Sequence, residues 1–456
     1  MTGGGNAGRS VRVIARRGWL SALYLLAGWL IQMSVSAHSA GAQSPSAMRA
    51  AAAVPGSELT VYLMTMGPGD EVWEKFGHNA LWIHDSVRNA DVAYNWGLFD
   101  FSAADFMPRF LKGNMLYWMG GFDVGETVDL YRRANRTVMA QKLNLTPAQK
   151  DSLARFVQWN AQPENRFYSY DYFRDNCSTR VRDALDRVLG GAIRRATVGV
   201  PTATTYRSHT RRLTQDASWV YLGTLLGLGH PVDRPISTWE EMFLPVRLHD
   251  DLRSVRVKDA SGALVPLILS DSVLFVSNRA PEPREPGSHI VVYVLAGVLV
   301  GGLAVLLRHL VDRGSSLARP VLIVFAGLWH LATGLAGVAL AALWIFTNHV
   351  YSYQNENLLQ ANPLSLVAAV LIFASLTRRG SSGSGALVGH WPSRLTWTVA
   401  GIAVAALAFK ALPGFRQVNW EIIALMLPAH VGIALSLRRR MPWPVKTGRR
   451  VSATGS

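Results

Sequence analysis

The chain has 456 residues, 49% of them hydrophobic, a formal net charge of +16 at pH 7 and a single cysteine. This length allows more than one domain, and one cysteine excludes an internal disulfide. Much of the positive charge lies between or after long apolar runs, and no Gly-rich phosphate loop or nucleic-acid-binding motif accompanies it. The composition therefore argues against a nucleic-acid-binding protein.

Residues 1–42 predict an export signal peptide. A basic region ending at Arg17 precedes the apolar stretch Trp19–Val35, and Ala40–Ala42 supplies the small residues of a cleavage site. An uncleaved anchor helix is the alternative. Export would place the lone thiol in an oxidising compartment, where an unpaired cysteine points to a function.

Residues 58–278 mix charged, aromatic and apolar side chains, as an extracytoplasmic soluble domain does. Short apolar runs bounded by turn residues predict strands at Glu58–Met66, His78–His84 and Val92–Gly97. His78 and His84 face the same way but lie about 20 Å apart, so only one of them can serve a given site. His78, which follows the turn residue Gly77, is the better placed.

The segment around Cys177 predicts a nucleophile at the start of a helix. Asn176 is a good N-cap residue, and apolar residues from Val181 to Leu189 recur at helical spacing before Gly190. Unsatisfied N–H groups and the positive end of the helix dipole favour a thiolate there, and the same N–H groups can form an oxyanion hole. With His78 as base, this is the arrangement of cysteine nucleophiles.

Two alternatives stay open at this site. A lone cysteine is often a small buried apolar residue with no chemistry. The group that orients the imidazole is also unsettled, because Asp91, Asp100 and Asp171 compete with Asn95 for that role.

The second half of the chain predicts an all-α transmembrane domain over residues 290–437. A proline-containing linker, residues 279–289, precedes it, and a basic cytoplasmic tail, residues 438–456, follows. The apolar runs indicate five spans: Ile290–Leu307, Pro320–Phe346, Pro363–Leu376, Leu395–Phe409 and Glu421–Leu437.

The basic residues around these spans fix the predicted orientation. If the soluble domain is exported, the two cytoplasmic loops and the tail hold three, three and six basic residues. The opposite loops hold only Lys410 and Arg416. This asymmetry follows the positive-inside rule and independently places the soluble domain outside the cytoplasm.

Four segments resemble the Lnb family of bacterial lipoprotein N-acyltransferases. They are Gly77–Trp82 (GHNALW), Tyr94–Phe101 (YNWGLFDF), Tyr170–Arg180 (YDYFRDNCSTR) and the loop His349–Pro363. The resemblance covers nearly the whole mature chain, and the cysteine motif is the most specific of the four. It implies an α+β, permuted papain-like (NlpC-type) extracytoplasmic domain followed by five membrane helices, in the bacterial inner membrane with the catalytic domain on the periplasmic side.

The resemblance further implies acyl transfer through a thioester on Cys177, with His78 as general base and Asn95 orienting its ring. A phospholipid would donate the acyl group, and the N-terminal amine of a lipoprotein would accept it. We expect Tyr170, Asp175 and Asn176 to contact substrate. We expect the same of His349, Asn355 and Asn357, which lie near the outer bilayer surface, although ordinary interfacial polar residues are an equal alternative.

Other functions use the same residues. A peptidoglycan peptidase or amidase, a phospholipase or thioesterase, and a non-enzymatic membrane scaffold are the alternatives, although a wall hydrolase has no need of five spans. No cofactor is expected. No metal site is predicted, because His78 and His84 lack ligands at metal-binding spacing.

Overall fold

The computed structural model describes residues 54–377 and 387–438. The predicted signal peptide and nearly all of the basic tail lie outside these residues. Eleven strands occur in the described part: β1 Leu59–Met66, β2 His78–Asp85, β3 Ala90–Leu98, β4 Leu116–Asp123, β5 Val138–Leu143, β6 Phe167–Ser169, β7 Pro201–Thr205, β8 Pro235–Ser237, β9 Arg256–Lys258, β10 Leu264–Pro266 and β11 Ile268–Phe275.

Nine α-helices accompany these strands in the described N-terminal part. They are α1 Phe106–Lys112, α2 Val124–Arg133, α3 Pro147–Asn160, α4 Cys177–Val188, α5 Ala192–Thr197, α6 Tyr206–Thr214, α7 Ser218–Gly227, α8 Thr238–Glu241 and α9 Pro245–Asp251. Short 3-10 helices occupy Val72–Glu74, His230–Asp233 and Leu252–Ser254. The part is therefore mixed α and β.

A seven-stranded antiparallel sheet in the order β11-β5-β1-β2-β3-β4-β6 forms the centre of this domain. Alternation along β1 gives the sheet two apolar faces, because successive side chains point to opposite sides. Val61 and Leu63 pack in the core that contains α3 and α4, whereas Met64 and Met66 pack with Val128 of α2. Helices thus cover both faces of the sheet, so a functional site is expected at the ends of the strands.

Five apolar helices form the C-terminal part: α10 Ile290–Asp312, α11 Ala318–Phe346, α12 Leu364–Phe373, α13 His390–Phe409 and α14 Trp420–Ser436. The 3-10 helices Val350–Ser352 and Glu356–Leu359 lie between α11 and α12. Among the described residues, four segments are long and apolar enough to cross a membrane, the third of them being Glu356–Phe373. The fifth, α14, is apolar but has only 17 residues.

Small residues let the membrane helices approach closely. Gly301 of α10 faces Gly432 of α14, and a Cβ added to Gly301 would lie 2.5 Å from the backbone oxygen of Pro428. No side chain fits there, so the pair packs backbone against backbone, as helices in membranes often do.

Helix α7 joins the two parts. Tyr221 and Leu225 of α7 pack with Leu340 of α11 and with Ile422 and Met426 of α14. A buried ion pair adds to this contact, because the Arg211 guanidinium of α6 binds the Glu421 carboxylate at the start of α14. The N-terminal part therefore rests on the apolar helices of the C-terminal part through an apolar and charged junction.

Candidate active site

Cys177 is the first residue of α4, as the sequence predicted. Asn176 caps this helix: its Oδ1 accepts hydrogen bonds from the backbone N–H groups of Ser178 and Thr179, both at 2.9 Å. Thr179 completes the capping box, since its Oγ1 accepts from the N–H of Asn176 at 2.7 Å. The N–H groups of Ser178 and Thr179 thus both donate to the cap.

His78, the first residue of β2, is hydrogen-bonded to Asn95 of β3, with 3.0 Å between Nε2 and Oδ1. The strand register explains this contact, because Ala80 pairs with Asn95 and His78 lies two residues from Ala80 on the same face. Nδ2 of Asn95 donates to the carbonyl of Ala93 at 2.9 Å, which turns Oδ1 toward the imidazole. We infer that Nε2 carries the proton and that Nδ1 keeps a lone pair, the arrangement of a general base.

Asn95 is the candidate orienting residue that contacts His78. Asp91 accepts instead from Trp82 Nε1 at 2.6 Å and lies 3.0 Å from Nδ1 of His84. Asp100 accepts from Ser102, and Asp171 accepts from Phe173, Arg174 and Tyr351. The geometry thus distinguishes Asn95, which contacts His78, from the three aspartates, a choice that the sequence left open.

Cys177 and His78 lie at the same end of the sheet. A Cβ added to Gly97 of β3 would lie 3.5 Å from Cβ of Cys177, and the Gly97 φ of +90° is one that residues with side chains rarely adopt. A hydrogen bond from the N–H of Asn79, the residue after His78, lowers the pKa of the Cys177 thiol and so places the start of β2 beside the cysteine. Tyr131 of α2 stacks on the His78 ring, with centroids 6.3 Å apart, and lies near enough to Cys177 for a thiolate there to raise its pKa.

The electrostatics favour a neutral pair. Desolvation raises the pKa of the half-buried Cys177 thiol, although N–H groups of Asn79 and Ser178 act in the opposite direction. Desolvation also lowers the pKa of His78 to about 4, against the hydrogen bond that His78 donates to Asn95, which raises it. The thiolate expected from the helix start is therefore not the resting form, because the loss of hydration outweighs the helix terminus.

Tyr170 lies beside the cysteine, since a Cβ on Gly97 would be 3.8 Å from its ring. Its ring stacks on Tyr117 with centroids 4.3 Å apart, and desolvation raises the pKa of its phenol above the ordinary range. Tyr170 is thus a neutral, largely apolar wall of the site, and its contact with substrate stays a prediction.

Asp175 and Asn176 have structural partners instead. Both carboxylate oxygens of Asp175 bind the Arg180 guanidinium, and Nδ2 of Asn176 donates to the carbonyls of Tyr172 and Phe243. With the cap bonds counted, every hydrogen-bonding position of the buried Asn176 amide is occupied. We therefore assign Asn176 to helix capping rather than to substrate binding.

The residues predicted in the membrane loop are also held by protein groups. Nδ2 of Asn355 donates to the carbonyls of Leu226 and Gly227 at the end of α7, and Nδ2 of Asn357 donates to those of Leu225 and Leu226. Both asparagines are buried, so they cap the C-terminus of α7. The structure thus gives them a packing role in place of the predicted substrate contact.

His349 differs from these asparagines because it is only partly buried. Its Nε2 lies 2.9 Å from the carbonyl oxygen of Phe110 in α1. The predicted residue therefore lies at a contact between the loop that follows α11 and the N-terminal part.

Sequence reasoning missed Tyr131 and Tyr351. Tyr351, in the loop after α11, donates its hydroxyl hydrogen to Oδ1 of Asp171 at 2.9 Å and packs edge-on against Phe173. No sequence signal marks Tyr131, which reaches His78 only through the sheet topology. Tyr351 fell within the loop noted for its resemblance but was not singled out.

Within residues 54–377 and 387–438, no group of three or more His, Cys, Asp or Glu side chains could hold a metal ion. The chain matches two family models, which describe the Lnb N-terminal periplasmic domain, over residues 47–212, and the Lnb transmembrane domain, over residues 294–382. No curated protein and no solved structure matches.

Proposed function

Because the chain belongs to the Lnb family, a family of membrane acyltransferases that modify lipoproteins, we propose that Cys177 carries an acyl group from a phospholipid to a lipoprotein. The protein lies in the inner membrane with its N-terminal domain in the periplasm. The observation that carries the proposal is the His78–Asn95 pair at the end of the sheet beside the first turn of α4.

In the first half-reaction, Sγ of Cys177 attacks the ester carbonyl of the phospholipid while Nδ1 of His78 takes the thiol proton. A C–S bond forms, the ester C–O bond breaks, and His78 returns the proton to the leaving alkoxide. The products are an acyl-cysteine and a lysophospholipid. Asn95 keeps the ring in the tautomer that makes Nδ1 basic.

In the second half-reaction, the free α-amine at the N-terminus of a lipoprotein attacks the thioester. A C–N bond forms and the C–S bond breaks, while His78 moves a proton from the amine to the sulfur. The thiol is restored, and the acceptor gains an amide. A neutral imidazole suits both halves, because each begins with proton removal.

We propose a domain layout to match. Residues 1–42 form the signal peptide, residues 58–278 an extracytoplasmic domain of permuted papain-like type, and residues 279–289 the linker. Residues 290–437 form five membrane spans, with α14 as the fifth, and residues 438–456 a cytoplasmic tail. The cysteine at a helix start beside a histidine-bearing antiparallel sheet supports the papain-like assignment.

The test is the intact mass of the purified full-length chain after incubation with phospholipid. We expect a gain of one acyl chain that hydroxylamine removes and that Cys177→Ser abolishes. Replacing the base, His78→Ala, should slow acylation by about 10²- to 10⁴-fold.

His84→Ala is the matched control, because His84 shares the strand and its face but contacts Asp91. It should acylate like the wild type. An unmodified wild-type mass, or an acylated Cys177→Ser chain, would contradict the proposal.

A further inference from the structure

A row of aromatic rings leads away from the cysteine. Tyr170 stacks on Tyr117 at 4.3 Å between centroids, Tyr117 contacts Phe99 at 5.0 Å, and Phe99 contacts Phe106 at 6.0 Å. Phe106 in turn contacts Phe110 at 6.1 Å. These five rings, together with Trp73 and Phe101 beside Phe99, are called the aromatic track. The rings come from five separate segments of the chain, and only the fold brings them together.

The two ends of the track lie at the thiol and at the membrane. At one end, the Tyr170 ring borders Gly97 beside Cys177. At the other end, the ring of Phe110 contacts that of His349 at 6.1 Å. The N–H of Asn348 also donates to the carbonyl of Lys112 at 2.8 Å, which fixes α1 on the loop that follows α11. This loop emerges on the periplasmic side, so the track runs from the bilayer surface to the nucleophile.

The middle of the track is open to solvent. Trp73 is 52% exposed and Phe101 is 55% exposed, while Phe99 and Phe106 are partly buried. The Trp73 ring lies 5.1 Å from that of Phe101. Contiguous exposed apolar rings are unfavourable in water and mark sites where an apolar partner binds.

A cavity of about 120 Å³ lies along the same helix. Phe106 and Phe110 line it together with Met115 and Trp118, and its surface is mostly apolar. A cavity of this size holds a few carbon atoms, so it extends the apolar surface of the track without holding a long chain by itself.

We propose that the aromatic track binds the fatty acyl chain of the donor lipid while its ester group reaches Cys177. This inference rests on the proposed function. The track reaches the membrane junction at His349 and the thiol at Cys177. An acyl chain that passes from the bilayer to the thiol must cover this distance without exposure to water, and this requirement identifies the occupant. Each methylene buried on the rings contributes about 0.8 kcal/mol, roughly a fourfold gain in affinity.

Binding is tested in the Cys177→Ser chain, which cannot acylate itself. The full-length variant is reconstituted in phosphatidylcholine vesicles that contain a phospholipid with a diazirine near the end of one acyl chain. After irradiation, we expect labelled peptides that contain Trp73 and Phe99–Phe110 in addition to membrane helices. Labelling confined to the membrane helices would overturn the inference.

Use of the track is tested by chain length, with p-nitrophenyl acetate and p-nitrophenyl palmitate as acyl donors to the full-length chain. Trp73→Ser combined with Phe101→Ser should lower kcat/KM for palmitate at least about tenfold and leave acetate nearly unchanged, because only the long chain loses ring contacts. Trp159→Ser is the matched control, since Trp159 is 53% exposed and packs on Phe156.

The outcomes separate the two proposals. An unchanged palmitate rate in the double variant, or an equal loss for both donors, would show that the rings have a packing role only. Labelling of the track in a chain whose Cys177 is never acylated would instead leave the binding inference standing and remove the proposed function.

Discussion

At the residue scale, the site depends on a balance between hydration and local hydrogen bonds. Asn95 favours the protonated imidazole of His78, yet desolvation lowers its pKa to about 4. Desolvation likewise raises the pKa of the Cys177 thiol. At neutral pH both groups are therefore uncharged, and in the proposed mechanism the thiol loses its proton to His78 only as Sγ attacks.

This resting state predicts the pH dependence of thiol alkylation. The reactive thiolate of Cys177 increases as pH rises toward the raised pKa, so the rate of alkylation by iodoacetamide should climb from pH 7 past about pH 8.5, the ordinary value for a cysteine. His78 stays neutral over that range and contributes no second inflection. The measurement is the labelling rate of the full-length chain, whose single cysteine makes the readout specific. A rate that levels off below about pH 6 would show a preformed thiolate–imidazolium pair.

The residues of the site differ in how far the sequence predicts them. Cys177 and His78 could be predicted from their neighbours in the sequence, because Cys177 follows an N-cap residue and His78 follows a glycine turn. Asn95 could not be separated from three aspartates, because the choice depends on the register of β2 against β3. Tyr131 could not be predicted at all, since its contact with His78 depends on where α2 packs on the sheet.

At the element scale, the loop between α11 and α12 joins the two parts of the protein. Its asparagines look like candidate ligands in the sequence because polar residues near a bilayer surface are free to bind substrate. In the structure they satisfy the last carbonyls of α7 instead. No local pattern predicts this, because the carbonyls that Asn357 binds lie more than 130 residues earlier.

Asn357→Ala should therefore act on stability. Asn357 is fully buried, its Nδ2 donates to two carbonyls, and its Oδ1 accepts from Asn419 Nδ2 at 2.8 Å. Leaving these groups without a partner costs about 1–3 kcal/mol, so the melting temperature of the detergent-solubilised chain should fall. Asn348→Ala is the control, because Asn348 is exposed, and its melting temperature should stay close to that of the wild type. An unchanged melting temperature of Asn357→Ala with lost acyl transfer would restore the substrate-contact interpretation.

At the scale of the whole molecule, the two parts are fixed to one another by buried charges as well as apolar packing. The Arg211 guanidinium and the Tyr221 hydroxyl of the N-terminal part both bind the Glu421 carboxylate at the start of α14. Removing one partner of such a buried pair leaves an uncompensated charge, so the Arg211–Glu421 pair helps to hold the periplasmic domain on the membrane helices. A fixed position suits the proposed transfer of an acyl group from a membrane lipid to Cys177.

The molecule as a whole was only partly predictable. The early strands and the membrane helices follow local apolar patterns, and the structure has them within a few residues of the predicted bounds for most elements. The short strands after residue 200 follow no such local pattern. The order of the strands in the sheet could not be predicted either, because it depends on distant pairings such as that of β11 with β5, more than 120 residues away. The periplasmic location followed from the basic residues flanking the spans, and the match to the periplasmic domain of the Lnb family confirms it.

The most direct test is mass spectrometry of a lipoprotein N-terminal peptide from cells that lack their own N-acyltransferase. With this chain supplied, the peptide should gain one amide-linked acyl chain; with Cys177→Ser supplied at equal level, it should keep a free amine. An unmodified peptide in the presence of the wild-type chain, or an acylated one in the presence of Cys177→Ser, would contradict the account.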